Sequence, residues 1–183
     1  MSDFTHDPDA AVVLYDRRAI DALMDHQAVL MNARYANDQV LVLAVMTGAL
    51  VYVGQLLPRL NFRLELDYVH ATRYDGARSG GELQWRVHPR QSVAGRTVLL
   101  LDDILDEGVT LHEISKLLIS EGAADVAIGV LVHKMKDLPQ PCSPAFPALT
   151  IPDRYVYGFG LDADGLWRNA DGIFVADGAN DVD

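Results

Sequence analysis

The sequence predicts an α/β protein with a mostly parallel central sheet flanked by helices, and two observations carry that prediction. Strand-like segments alternate with segments of helical periodicity along most of the chain. The central strand-like segments are apolar at every position, as in strands covered on both faces. Parallel strands need long crossover connections, and helices supply them.

The elements follow in order. The first ten or so residues carry no pattern and are expected to fray. From Ala19 to about Tyr35, Ile20, Leu23, Met24, Leu30 and Met31 recur at helical spacing and predict one buried face. "VLVLAVM" (Val40 to Met46) predicts a fully buried strand punctuated by Gly48, and "ALVYVGQLLPRL" a helix ending near Pro58. "FRLELDYV" (Phe62 to Val69) alternates apolar and polar residues and predicts a half-buried strand. "HATRYDGARSGGE" is polar with three glycines and predicts a mobile loop, after which "LQWRVH" alternates again. "RTVLLLDD" predicts another buried strand. Leu111, Ile114, Leu117 and Leu118 predict a helix from Thr110 to about Ser120, with Gly122 as its stop. "DVAIGVLVHK" predicts a third buried strand. "PQPCSPAFPALTIP" holds five prolines and is expected to be irregular. "DRYVYGFGLD" and "DGIFVAD" predict short late strands. There are no internal repeats.

Composition narrows the function classes. A chain of 183 residues suggests a single domain, and half its residues are hydrophobic, enough for a sizeable core. The net charge of -11 argues against nucleic acid and against anionic lipid as partners. One cysteine, Cys142, leaves no intramolecular disulfide and no cysteine-cluster metal site, which suits a reducing cytoplasm. The six histidines form no metal-ligand spacing. The opening "MSDFTHDPDA" is acidic and polar, unlike a signal peptide, and no apolar run reaches the roughly 18 residues of a membrane span. A cytoplasmic protein is expected.

In a parallel sheet, ligands bind beyond the carboxyl ends of the strands at a topological switch point. That rule singles out Met46 to Gly48, the segment from Asp102 onward, and Lys134. The segment "VLLLDDILDEGVTL" (Val98 to Leu111) places four carboxylates within six residues, directly after a buried strand. Asp106 to Thr110 forms a turn that opens into a helix, where free backbone N–H groups and the helix dipole favour an anion. Gly108 lets that backbone approach a phosphate closely, and Thr110 adds a hydroxyl or caps the helix. Asp102 and Asp103 stand just upstream. Paired carboxylates suit a sugar diol and a Mg²⁺ ion. Phosphate, diol and metal together describe a phosphorylated ribose.

This motif resembles the phosphoribosyl-diphosphate (PRPP) signature of the type I phosphoribosyltransferases. "AVMTGALVYVGQLL", "GVLVHK" and "IPDRYVYGFGLDADGLWRN" resemble the hypoxanthine-guanine branch of that family. The likeness runs from about Val40 to Val175 in the family's order. It implies a single phosphoribosyltransferase domain over residues 1–183, with a small hood built from parts of about 1–18 and 150–183. It implies transfer of phosphoribose from PRPP to hypoxanthine or guanine, giving IMP or GMP and pyrophosphate. A transferase preferring xanthine, or a PRPP-binding regulator without transferase activity, is the alternative. A homodimer or homotetramer is implied by family analogy.

The resemblance also implies residue roles. Asp102 and Asp103 would bind the ribose hydroxyls and organise Mg²⁺. Asp106, Glu107, Gly108, Val109 and Thr110 would hold the 5′-phosphate. Asp106 would act as general base at the purine, a role suited to a carboxylate. Lys134 would donate to the purine 6-oxo group, Tyr155 would stack on the ring, and Val156 would offer backbone groups to its edge. Thr47 and Gly48, after a cis peptide, and Arg168 would meet pyrophosphate, and Asp162 would ligate or orient its Mg²⁺. Arg73, Tyr74, Arg78 and Ser79 would belong to a lid that excludes water. Two residues depart from the family pattern. Thr47 stands where many relatives carry a bulkier or charged residue, and Glu107 puts a charge of the ligand's own sign into the phosphate loop. Glu107 is expected to point away and serve phosphate only through its backbone.

Overall fold

The structure, a computed structural model, describes residues 12–73 and 83–176. Strand β1 (Val12–Asp16) leads directly into helix α1 (Arg17–Arg34). Asp16 caps the helix by accepting the Ala19 N–H at 2.8 Å, two residues earlier than the apolar pattern suggests. The buried stripe of α1 is Ile20, Met24, Gln27, Ala28 and Met31. Leu30, expected on that face, is 46% exposed. It lies roughly 100° round the helix from the stripe's centre, where a polar glutamine was needed instead.

Strand β2 (Gln39–Val45) is buried from Val40 onward, and helix α2 (Ala49–Leu56) follows, tightening into a 3₁₀ turn at Leu57–Arg59 that carries Pro58. Strand β3 (Arg63–Arg73) and strand β4 (Leu83–Val87) pair antiparallel. Strand β5 (Thr97–Leu105), helix α3 (Val109–Ser120) and strand β6 (Asp125–Lys134) come next. Then follow β7 (Phe146–Ile151), β8 (Val156–Tyr157) and β9 (Gly172–Val175).

The large sheet has the order β4-β3-β2-β5-β6-β7, parallel throughout except at β4. Helices α1 and α2 cover one face through Met24, Met31, Tyr52 and Leu56, packed on Val40, Val42, Leu99 and Leu101. Helix α3 covers the other through Leu111, Ile114 and Leu118, packed on Leu41, Leu43, Val98 and Leu100. Covering both faces removes water from Val40 to Val45 of β2 and Val98 to Leu101 of β5, which is why those stretches read as unbroken apolar runs. A second, antiparallel sheet of order β1-β9-β8 joins the two ends of the described chain.

Two expectations are corrected. The proline-rich stretch is not wholly irregular, because β7 lies inside it, paired parallel with β6. It is the edge strand, so Pro147 removes no ladder bond that the sheet needs, while Phe146, Leu149 and Ile151 fill the core. Strand β3 is half-buried, but on the wrong residues for its pattern. Leu66 and Tyr68 are 52% and 38% exposed, whereas Asp67 is 8% exposed. Asp67 is tolerated there because its carboxylate accepts the backbone N–H groups of Arg90, Gln91 and Tyr68 at 2.6 to 3.0 Å. Leu66 and Tyr68 line an apolar groove of about 440 Å³ with Leu50, Val53 and Leu57 of the α2 segment.

Candidate active site

The strand order turns back at β2, with β3 on one side and β5 on the other, and the carboxyl ends of β2 and β5 open into one cavity of about 580 Å³. Its walls bring together Thr47, Gly48, Asp102, Asp103, the loop from Asp106 to Thr110, Asp162 and Arg168. Residues separated by more than a hundred positions in sequence therefore share one space.

The aspartate pair does not end β5, which runs on to Leu105. Consecutive strand residues point to opposite faces. Asp103 is accordingly buried while Asp102 is partly exposed. Each carboxylate accepts the next backbone N–H, Asp102 from Asp103 at 2.9 Å and Asp103 from Ile104 at 3.0 Å. Burial pushes both carboxyls above the usual carboxylate range. For Asp102 the neighbouring Asp103 adds to the rise, and Arg168 opposes it at both. Gly48 lies hard against this pair: a β-carbon there would come within 2.5 Å of Asp103 Cγ. The peptide Met46–Thr47 just before it is cis.

Beyond the pair, Gly108 adopts φ 78° and starts α3 with no side-chain cap. The first N–H groups of α3 are therefore not claimed by a capping side chain. Thr110 stands inside the first turn and is not the cap. Glu107 is exposed at the rim of the cavity.

Asp106 is the centre of a charge cluster. Lys134, the last residue of β6 and only 6% exposed, places Nζ 3.0 Å from Asp106 Oδ2. Lys136 places Nζ 2.5 Å from Asp106 Oδ1 and 2.7 Å from Asp153 Oδ1. Partial burial pushes the Asp106 carboxyl up, but the Lys136 and Lys134 ammoniums outweigh it and hold the carboxyl below its ordinary value.

On the far wall, Arg168 spans two acids. Its Nη2 lies 2.6 Å from Asp162 Oδ1 and its Nη1 3.8 Å from Asp103 Oδ2, while Nη1 also donates to the Gly160 carbonyl at 2.6 Å. The second Asp162 oxygen accepts the Gly165 N–H at 2.8 Å. Among the described residues no group of three acids, histidines or cysteines is arranged to hold a metal ion.

Some expected residues stand apart. Lys134 reaches the cavity only through Asp106, and Tyr155 and Val156 do not line it. Tyr155 is 43% exposed, with its hydroxyl accepting the Asp164 N–H at 3.3 Å, and Val156 is buried in β8. Tyr74, Arg78 and Ser79 lie outside the described residues, as does the side chain of Arg73.

The sequence reading missed two participants. Lys136 was signalled by its spacing, since two residues beyond a strand-end lysine is the same side of an extended chain. Gln140 carried no signal. Its Nε2 donates to the backbone carbonyls of both Asp106 and Lys134, the latter at 3.0 Å, and its Oε1 pairs with His133 Nε2 at 3.0 Å.

Comparison with known proteins adds a family. Residues 14–164 match the phosphoribosyl transferase domain. The chain is 31% identical over 141 residues to a hypoxanthine-guanine phosphoribosyltransferase of Lactococcus lactis, covering 76% of each protein. It is 28% identical to a hypoxanthine-guanine-xanthine phosphoribosyltransferase of Tritrichomonas foetus, covering 86% of each. Two solved structures share the fold. A hypoxanthine phosphoribosyltransferase of Staphylococcus aureus superposes with a TM-score of 0.85 at 24% identity, covering 92% of both chains. One of Trypanosoma cruzi bound to the product IMP gives 0.84 at 22% identity, covering 93% of this chain and 97% of that one.

Proposed function

The chain belongs to the phosphoribosyltransferase family, in its hypoxanthine-guanine branch, and we propose from that premise that it is a purine-salvage transferase. It converts PRPP and hypoxanthine or guanine to IMP or GMP and pyrophosphate. The observation that carries this reading is the meeting of Lys134 and Asp106 at 3.0 Å on the rim of a cavity that also holds Asp102, Asp103 and the uncapped start of α3. A hydrogen-bond donor for a 6-oxo group then stands beside a space that offers a base for a ring N–H, a diol site and a phosphate site.

The roles follow from the chemistry. The backbone N–H groups from Asp106 to Thr110 bind the 5′-phosphate, as helix starts bind anions. Asp102 and Asp103 accept the ribose hydroxyls. Lys134 donates to the 6-oxo group, selecting 6-oxopurines over a 6-amino base, which would present a donor to a donor. Asp106, already ionised, takes the proton released at N7 as N9 attacks C1′ and the C1′–pyrophosphate bond breaks. Tyr155 packs on the purine and Val156 offers its backbone. Thr47, Gly48 and Arg168 receive the pyrophosphate, and Arg168 leaves its acid partners as the more highly charged ligand arrives. Mg²⁺ belongs to this reading: Asp162, Asp102 and Asp103 are hard oxygen donors that suit it, and its chemistry is to draw charge from the leaving pyrophosphate. These donors alone would not enclose the ion, and oxygens of the substrate would have to hold it with them.

The reading extends to a cytoplasmic enzyme that assembles as a homodimer or homotetramer. No helix among the described residues is long and apolar enough to cross a membrane. The decisive experiment mixes the protein with PRPP, Mg²⁺ and each of hypoxanthine, guanine, xanthine and adenine, and follows pyrophosphate release. Turnover with 6-oxopurines and none with adenine is expected. Absence of turnover with every base overturns the reading.

A further inference from the structure

We propose that Lys136 is a positioning residue for the transfer: bridged between Asp106 and Asp153, it takes over the counter-charge of Asp106 so that Lys134 is free to turn to the purine. The inference rests on the transferase reading above and deepens it.

The two lysines and two aspartates form a balanced group. Lys136 Nζ sits 2.5 Å from Asp106 Oδ1 and 2.7 Å from Asp153 Oδ1, while Lys134 Nζ sits 3.0 Å from Asp106 Oδ2 and 3.9 Å from Asp153 Oδ1. Lys134 must give up its bond to Asp106 to donate to a 6-oxo group. Its side chain is 7% exposed, so water does little to replace its own lost partner, and the Asp106 and Asp153 carboxylates, 41% and 53% exposed, are only partly resolvated when it leaves. With Lys136 in place, Asp106 keeps one ammonium when Lys134 leaves, and Asp153 keeps the same one. Without Lys136, both carboxylates depend on Lys134, and releasing it strands two negative charges at a half-buried site. Lys134 would then be held on Asp106 and withheld from the base.

Lys136 is suited to stay behind. It lies two residues past the end of β6, its side chain is 22% exposed, and it lines the cavity. Asp153, which precedes β8, holds it from the other side at 2.7 Å. The charged groups that face Asp106 are Glu107 in its own loop, Lys134 at the end of β6, Lys136 in the turn after it, and Asp153 of the β7–β8 connection, which shares both lysines. Of these, Lys134 and Lys136 are the cations placed on its carboxylate. Their joint effect holds the Asp106 carboxyl below its ordinary value, so removing Lys136 moves it upward. A rising pKa in the folded protein carries the acid limb of kcat/KM to higher pH.

The test compares wild type with Lys136→Gln, Lys136→Arg and Asp153→Asn, after thermal melts show each variant folded. Steady-state kinetics are read for hypoxanthine and PRPP separately across pH. The Asp106 carboxyl is titrated by ¹³C NMR in wild type and Lys136→Gln without substrates. Lys136→Gln is expected to raise KM for hypoxanthine roughly tenfold, leave KM for PRPP within about twofold, and shift both the acid limb and the NMR titration to higher pH. Lys136→Arg restores them, and Asp153→Asn falls between. A Lys136→Gln enzyme with wild-type KM for hypoxanthine and an unmoved Asp106 titration overturns the proposal while the transferase reading stands. A wild type inert towards every base overturns the reading, and this inference with it.

Discussion

Gly48 and Asp103 are in direct contact across the mouth of the cavity. A β-carbon on residue 48 would fall 2.5 Å from Asp103 Cγ and 2.7 Å from Oδ1, closer than real β-carbons approach anything. The backbone of Gly48 has ordinary helical angles, so space and not conformation demands glycine here. Gly48→Ala should therefore push the Asp103 carboxylate out of place. The expected stability cost is about 1–3 kcal/mol. A larger mark should appear in kinetics, with PRPP use reduced roughly tenfold or more. Chemical denaturation and KM for PRPP measured on one preparation check both, and an alanine enzyme with unchanged KM for PRPP and kcat would show that Asp103's position does not matter.

Asp106 carries a sharper prediction, because its two ion pairs and its proposed proton transfer separate on substitution. Asp106→Asn keeps the shape and the backbone N–H but cannot take a proton. Turnover should fall by about 10²-fold or more, with PRPP affinity retained, since the proposed phosphate site consists of backbone N–H groups. The carboxyl is held below its ordinary value, so folding gains from its ionisation at neutral pH. That gain is present above the unfolded carboxyl's pKa and lost as pH falls through the lower folded value. Asp106→Asn should flatten this part of the stability profile at acid pH, measured by denaturation midpoints. Unchanged turnover would remove Asp106 from the chemistry.

Gln140 ties the backbone at Asp106 to the backbone at Lys134, and its amide orientation follows from its partners. Two carbonyls, those of Asp106 and Lys134, meet one nitrogen, so that nitrogen must be the donor and Oε1 must accept from His133. Gln140→Glu keeps the shape and places an acceptor against two acceptors. It should cost about 1–3 kcal/mol and cut kcat more than KM for PRPP, because it moves Asp106 relative to Lys134. Gln140→Ala should be milder. Equal kcat in wild type and Gln140→Glu would mean that the tether does not set their spacing.

These residues also show what a sequence can tell. The strands and helices around Val40, Val98 and Val126 were legible because burial on both faces leaves no polar position to confuse the period. Asp102 to Thr110 was legible because its chemistry is local: strand end, turn and helix start adjoin in the chain. Strand β3 misled because Asp67 draws its partners from Arg90 and Gln91, more than twenty positions away, so a buried carboxylate looked like a solvent-facing one. The edge strand β7 was hidden by prolines that only its place at the border of the sheet makes harmless. Gln140 reaches the Asp106 carbonyl from the turn after β6, and no period or local motif encodes a contact of that kind.

The same lesson bears on Gln27, a polar residue on the buried face of α1. Its Nε2 donates to the carbonyls of Val130 at 2.9 Å and Phe146 at 2.7 Å, joining β6 to the first residue of β7. Its Oε1 accepts the Tyr52 hydroxyl at 2.8 Å, and burial pushes that phenol far up, so it remains a donor at any pH the protein meets. Three groups are satisfied by one amide that is 1% exposed. Gln27→Leu fills similar space but strands two carbonyls and a hydroxyl, and should cost about 2–4 kcal/mol. Tyr52→Phe together with Gln27→Leu removes the hydroxyl's share and should recover part of that loss. Because β7 is an edge strand holding Phe146, Leu149 and Ile151 in the core, hydrogen exchange in β7 should rise before exchange in β5 does. Urea denaturation of the single and double variants measures the coupling, and a Gln27→Leu protein as stable as wild type would mean that this amide does not secure the β6–β7 edge.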